Sequence, residues 1–120
     1  IMEIAIWIVS GLVALAMFVA GVLKLVTPRE KYVGMQPWAA DFTPVQVLLI
    51  GVVEILGALG VVLPRLLDIA PILSPIAAAG LVLVHVVAMS VHVRRKETFV
   101  PNIVFIVLAG FVATAGFLGY

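Results

Sequence analysis

The sequence predicts an all-α membrane protein, an up-down antiparallel bundle of four transmembrane helices with a short interfacial helix between helices 1 and 2. Of the 120 residues, 65% are hydrophobic and only 11% are charged, whereas soluble domains are about 45–50% apolar and about 25% charged. Four long apolar runs are separated by short polar segments. We therefore expect a single domain over residues 1–120, with spans at about 4–26, 45–63, 71–93 and 101–120.

The first span ends in a segment that carries a basic residue close to the membrane boundary. Lys24 lies about one turn inside that boundary, where its long stem can carry the ammonium to the interface or turn it inward to Glu54. The following Thr27-Pro28-Arg29-Glu30 predicts a capping box with proline at the first helical position, hence a short surface helix. Trp38, beyond that helix, suits the headgroup level.

The second span carries a carboxylate at its centre, around which the chain is organised. Its 19 residues extend roughly 28 Å, close to the thickness of the hydrocarbon core, and Glu54 is the tenth of them. Thr43-Pro44-Val45-Gln46 repeats the capping pattern, and Pro64 to Asp68 predicts a tight turn after the span. An ionisable group at this depth is costly and by default indicates a functional site. Glu54 is therefore a proton-accepting or ligand-binding acid, or a carboxylate held by Lys24 or His85 to fix helix register.

The last two spans contribute further polar residues. The third begins between Ile69 and Pro75 and contains His85 and His92, and Asn102 opens the fourth. His85 is either a ligand or proton carrier, or it hydrogen-bonds a neighbour. The sequence favours neither haem nor a metal. It has no cysteine, and its two histidines lie about 10 Å apart along one helix.

The basic residues are distributed unevenly between the two sides of the predicted bundle. Arg65 alone belongs to the side of the termini, and the other six belong to the two longer connections and their flanks: Lys24, Arg29, Lys31, Arg94, Arg95 and Lys96. By the positive-inside rule these connections are cytoplasmic and both termini lie outside, in a bacterial cytoplasmic membrane. We expect five residues at the lipid interface: Arg94, Arg95 and Lys96 of this set, and in addition Trp38 and His92.

This topology collects one polar group from each span on the cytoplasmic side, as a candidate intramembrane polar core: Lys24, Glu54, His85 and Asn102. Glu54 lies roughly 15 Å and His85 roughly 12 Å from that side. These groups can line a cavity that opens towards the cytoplasm. A Glu54–His85 pair would let the two side chains share one proton.

The motifs that carry these residues resemble the DoxX-like family of small four-helix membrane proteins. They are Gly21-x-x-Lys24-Leu25 and Gly51-x-x-Glu54-x-x-Gly57, followed by His85 and Asn102. The resemblance implies a four-helix fold in which Gly21, Lys24, Glu54, His85 and Asn102 form the polar core. We also expect Gly21, Gly51 and Gly57 at helix-packing positions. Named relatives are membrane subunits of complexes for quinone-linked sulfur oxidation or oxidative stress. Without cysteine, the chain would depend on a partner or a bound quinone for redox chemistry.

Three functions follow as hypotheses. The first is an accessory or anchoring subunit of a larger, redox-linked membrane complex. In that role the chain has no enzymatic activity of its own, and its partners are the lipid bilayer and other membrane subunits or further copies of itself. The second is a protein that binds a quinone or another lipophile and moves a proton through Glu54 and His85. The third is a channel or transporter for protons or small solutes, which the lack of a broken span or inverted repeat disfavours. The modest net charge of +1 gives no sign of a nucleic-acid partner.

Overall fold

The computed structural model describes residues 1–120 and is entirely helical. Its elements are α1 (Met2–Val26), α2 (Arg29–Met35), a 3-10 helix (Pro37–Asp41), α3 (Pro44–Leu67), α4 (Leu73–Arg94) and α5 (Val100–Phe117). The four long helices are long and apolar enough to cross a membrane. This confirms the predicted all-α fold with four candidate spans and a short helix between the first two.

The four long helices form an antiparallel bundle in which α1 packs against α3 and α5, and α4 packs against the same two helices. The most extensive contacts are those of α1 with α3 and of α4 with α5. All four helices contribute to the buried apolar core, which includes Val13, Ala58, Leu81 and Val112. We call the end where α1 and α4 finish and α3 and α5 begin the basic end, since six of the seven Lys and Arg residues lie at or near it.

Glycines allow α1 and α3 to cross at backbone contact. A Cβ atom added at Gly21 would lie 2.6 Å from the carbonyl oxygen of Gly51, and one added at Gly51 would lie 2.9 Å from that of Gly21. A third glycine, Gly57, faces Leu81 of α4, whose Cδ2 atom would be 2.6 Å from an added Cβ. Small residues are enriched at helix interfaces in membranes because they permit such approaches. The three glycines therefore lie at close helix contacts.

The two predicted capping boxes have different outcomes. At the start of α3, Gln46 N–H donates to Thr43 Oγ1 at 3.2 Å and Thr43 N–H donates to Gln46 Oε1 at 2.9 Å, which confirms the pattern there. The prediction at Thr27 is wrong. Thr27 ends α1, its N–H donating to Leu23 O at 3.1 Å, and α2 begins after Pro28 without a side-chain cap.

The predicted turn at Pro64 is also wrong, because α3 continues through Pro64 to Leu67. Pro64 has no N–H, so the hydrogen bond to the carbonyl oxygen of Gly60 is missing, and the helix continues past it. The helix ends instead at Asp68, which has a left-handed conformation with φ of 52°. Helix α4 then begins at Leu73, within the range predicted for its start.

Candidate functional site

The centre of the candidate site is an ion pair between α1 and α3. Lys24 Nζ lies 2.6 Å from Glu54 Oε1, and the two side chains are only 8% and 6% exposed. Lys24 follows Gly21 by three residues and Glu54 follows Gly51 by three, so both charges lie about one turn from the crossing that brings the helices together. The ammonium thus turns inward to the carboxylate instead of extending to the interface.

An aromatic pair from the segment between α1 and α3 covers this ion pair. Lys24 Nζ lies 5.9 Å from the ring centroid of Tyr32 and 5.8 Å from that of Trp38, both within the range of a cation–π contact. The two rings pack edge to face at 6.3 Å, and Trp38 makes a similar contact with Phe42. Residues 29–41, which we call the interfacial segment, therefore supply electron-rich ring faces to the ammonium as well as apolar cover.

His85 lies in a second polar group, built by α1, α4 and α5. Its Nε2 atom is 3.1 Å from Met17 Sδ, and its ring stacks on Phe105 with centroids 5.0 Å apart. Asn102 Nδ2 donates a long hydrogen bond of 3.5 Å to the carbonyl oxygen of His85. The other ring nitrogen of His85, Nδ1, is buried without a hydrogen-bond partner. The imidazole is thus held in orientation by its neighbours and retains one unused polar atom.

The structure contains no hydrogen bond between Glu54 and His85, so the predicted Glu/His pair is not formed. Glu54 takes Lys24 of the adjacent helix as its partner, while the imidazole of His85 contacts Met17 and Phe105. The four candidate residues of the polar core are all buried at their side chains. They are arranged as two pairs, Lys24 with Glu54 and His85 with Asn102.

A second ionic cluster joins the two connections at the basic end. Arg95 Nη1 donates to Asp41 Oδ2 at 2.6 Å, and Arg95 Nε lies 3.3 Å from Glu97 Oε2. His92 Nδ1 lies 3.0 Å from the other carboxylate oxygen of Glu97. The hydrogen bond to Asp41, and then that to Glu97, raises the pKa of Arg95. The hydrogen bond from His92 is the main cause that lowers the pKa of Glu97.

The residues expected at the lipid interface have different environments in the structure. Arg94 and Lys96 are exposed, while Trp38, His92 and Arg95 are partly buried. Trp38 packs edge to face on His92 at 6.5 Å, which places the interfacial segment against the end of α4. The Asp41–Arg95 ion pair reinforces that contact.

Sequence reasoning missed several neighbours of the candidate residues. Met17 and Phe105 are apolar residues within apolar spans, and nothing in the pattern distinguishes them from other core positions. The cation–π role of Tyr32 was also missed, since an aromatic residue near a span end indicates the membrane interface first. Asp41 carried a usable signal, because it is an acid in a segment that faces the cationic run at residues 94–96.

Comparison with known proteins identifies the family. The model of the DoxX-like family matches residues 8–117 of the 120. The chain belongs to the DoxX-like family. No curated protein and no solved structure matches it. Family membership and the four long apolar helices together make this DoxX-like protein an integral membrane protein.

Proposed function

We propose that this DoxX-like protein is a small accessory subunit that packs within a larger, redox-linked membrane complex. The observation that carries the proposal is the presence of glycines on outward faces of the spans. A Cβ atom added at Gly11 of α1 or Gly80 of α4 would meet nothing within 4 Å, and both residues are exposed. Glycine is about 1 kcal/mol less favourable than alanine within a helix. Glycines at such positions support close approach by helices of another chain.

The state of the polar core also supports an accessory role. Lys24 and Glu54 are paired with each other, and two aromatic rings cover the ammonium. Removing one member of a buried ion pair typically costs about 3–5 kcal/mol, because the remaining charge is left buried and unpaired. The pair therefore joins α1 to α3 and fixes their register, which is a structural task that requires no substrate.

The proposed orientation places the basic end in the cytoplasm and both termini outside, in a bacterial cytoplasmic membrane. The positive-inside rule supports it, because six of the seven Lys and Arg residues belong to the connections at that end or to their flanks. Labelling of single cysteines introduced at Gly34 and at Asp68 tests the orientation, since the natural chain has none. In intact cells a membrane-impermeant thiol reagent should label the cysteine at residue 68 and spare the one at residue 34. The reverse pattern would contradict the orientation.

The accessory role is tested by native mass spectrometry of the protein gently solubilised from its own membrane. We expect larger polypeptides at a fixed stoichiometry and no turnover by the purified chain alone. A monodisperse homomer with activity of its own would refute the proposal.

Matched glycine variants locate the contact. Gly80→Leu adds bulk to an outward face and should reduce the amount of co-purified partner while the bundle remains folded. Leu83→Ile, on an exposed position one turn further along α4, is the control and should leave recovery unchanged. Equal recovery of partner with both variants would show that the face around Gly80 is not the interface.

The second candidate function is binding of a quinone or a similar lipophile, and it is supported by His85. A buried imidazole with one unpartnered nitrogen, stacked on Phe105, can hydrogen-bond a carbonyl oxygen of such a ligand. Quinone extracted per mole of purified protein measures this. The function requires stoichiometric quinone in the natural protein and its loss in His85→Phe. Equal trace amounts in both would exclude it.

A further inference from the structure

A surface cavity at the basic end combines cationic and apolar walls. It has a volume of about 330 Å³ and is lined by Asp41, Phe42, Val91, Arg94 and Arg95. We propose that this cavity binds the phosphate headgroup of an anionic phospholipid from the leaflet at the basic end. The volume falls within the range of small-ligand sites.

The charges around the cavity leave positive charge uncompensated. Arg95 is neutralised by Asp41 and Glu97, whereas Arg94 is exposed and forms no ion pair. Arg29 donates from Nη2 to the carbonyl oxygen of Phe42 at 2.6 Å, and its Nη1 is buried without a hydrogen-bond partner. Two guanidinium groups without a carboxylate partner thus belong to the cavity wall or contact it. Arginine presents a planar fork of donors that matches a phosphate group.

The position of the cavity selects a lipid as the source of that phosphate. Val91 belongs to the last turn of α4, and Phe42 directly precedes the capping residue of α3, so the apolar walls lie where two spans meet the interface. A lipid headgroup reaches this level with its acyl chains still in the hydrocarbon region. Asp41 contributes a carboxylate to the same wall, but its Oδ2 atom is already engaged by Arg95. The carboxylate therefore serves to orient Arg95.

Native mass spectrometry of the purified protein, titrated with phosphatidylglycerol or phosphatidylcholine in detergent, tests the proposal. We expect one molecule of phosphatidylglycerol to stay bound to the protein at lipid concentrations that are too low for phosphatidylcholine to stay bound. Arg94→Gln should weaken phosphatidylglycerol binding about tenfold or more, because it removes a charge-assisted hydrogen bond. Arg94→Lys keeps the charge without the fork and should lose several-fold.

Two control variants separate a defined site from general attraction to an anionic surface. Lys31→Gln removes an exposed charge at the same end, outside the cavity lining. Arg65→Gln removes a cation that lines the cavity at the opposite end of the bundle. Both should change the affinity for phosphatidylglycerol about twofold or less.

Each possible outcome decides the question. Equal losses in Arg94→Gln and Lys31→Gln would show diffuse electrostatic attraction and overturn the site. If millimolar glycerol phosphate displaces the bound lipid as completely as added phosphatidylglycerol does, the site is one for soluble phosphate. That result would overturn the assignment to lipid. The circular dichroism spectrum of Arg94→Gln should match that of the natural protein, because Arg94 is exposed and has no part in the core. A matching spectrum shows that a loss of lipid binding does not come from unfolding.

Discussion

Replacement of Gly21 by alanine tests whether the backbone contact between α1 and α3 holds the ion pair in place. The new Cβ atom would lie 2.6 Å from both the carbonyl oxygen of Gly51 and Cγ1 of Ile55. That is about 0.8 Å short of an ordinary van der Waals contact. A backbone carbonyl cannot rotate away as a flexible side chain can, so the two helices must separate. Overpacking of this kind costs about 1–3 kcal/mol.

The matched control is Gly11→Ala on the same helix. Its Cβ atom would meet nothing within 4 Å, so the substitution brings only the helix preference of alanine, at most about 1 kcal/mol in its favour. The two substitutions are chemically identical, so the difference between their effects on the free energy of unfolding reports the contact at Gly21. Gly51→Ala, whose closest contacts would be 2.9 Å, should fall between them.

Reversible unfolding in mixed detergent micelles measures these differences, with tryptophan fluorescence as the probe. Trp38 packs over Lys24 and therefore reports directly on the region of the ion pair. We expect Gly21→Ala to lower the free energy of unfolding by about 1–3 kcal/mol and Gly11→Ala to leave it equal or slightly raised. Equal effects of the two substitutions would refute the close crossing and, with it, the explanation of how Lys24 meets Glu54.

Three further predictions concern individual polar groups. Lys24→Met should cost about 3–5 kcal/mol of unfolding free energy, and the double variant with Glu54→Gln should recover part of that loss; strictly additive losses would contradict the pairing. Thr43→Ala should cost about 1 kcal/mol through loss of the cap of α3, measured in the same assay, where no change would show that the cap is dispensable. The pKa of Glu97 is lowered, so its contribution to stability is complete above its ordinary value of 4.5 and is lost as the pH falls through the lowered value. Glu97→Gln should therefore flatten the fall in stability below about pH 5, and an unchanged profile would refute the role assigned to Glu97.

Much of the fold follows from local sequence rules. Runs of about 20 apolar residues require helices in a bilayer, since every backbone polar group must be satisfied internally. The cap at Thr43 was predictable because both of its hydrogen bonds lie within four residues. The end of α3 at Pro64 was predicted from the rule that proline interrupts a helix, but a proline removes only one backbone hydrogen bond, and helices that cross membranes tolerate this loss.

The arrangement of the polar core could be predicted only in part. Depth along each helix follows from residue counts, and it placed Glu54 and His85 on the same side of the bundle. Rotation about each helix axis does not follow, because lipid-facing and protein-facing positions are equally apolar. The choice of Lys24 over His85 as the partner of Glu54 was therefore made by packing, through the contact of Gly21 with Gly51.

The position of the ion pair within one helical hairpin has a consequence for biogenesis. Lys24 and Glu54 belong to α1 and α3, which are made first and are joined by the interfacial segment. Their opposite charges can meet before α4 and α5 leave the ribosome, so the first hairpin can enter the bilayer as an electrically neutral unit. A nascent chain arrested after α3 already contains both members of the ion pair. Membrane insertion of this hairpin therefore does not have to wait for the hairpin of α4 and α5.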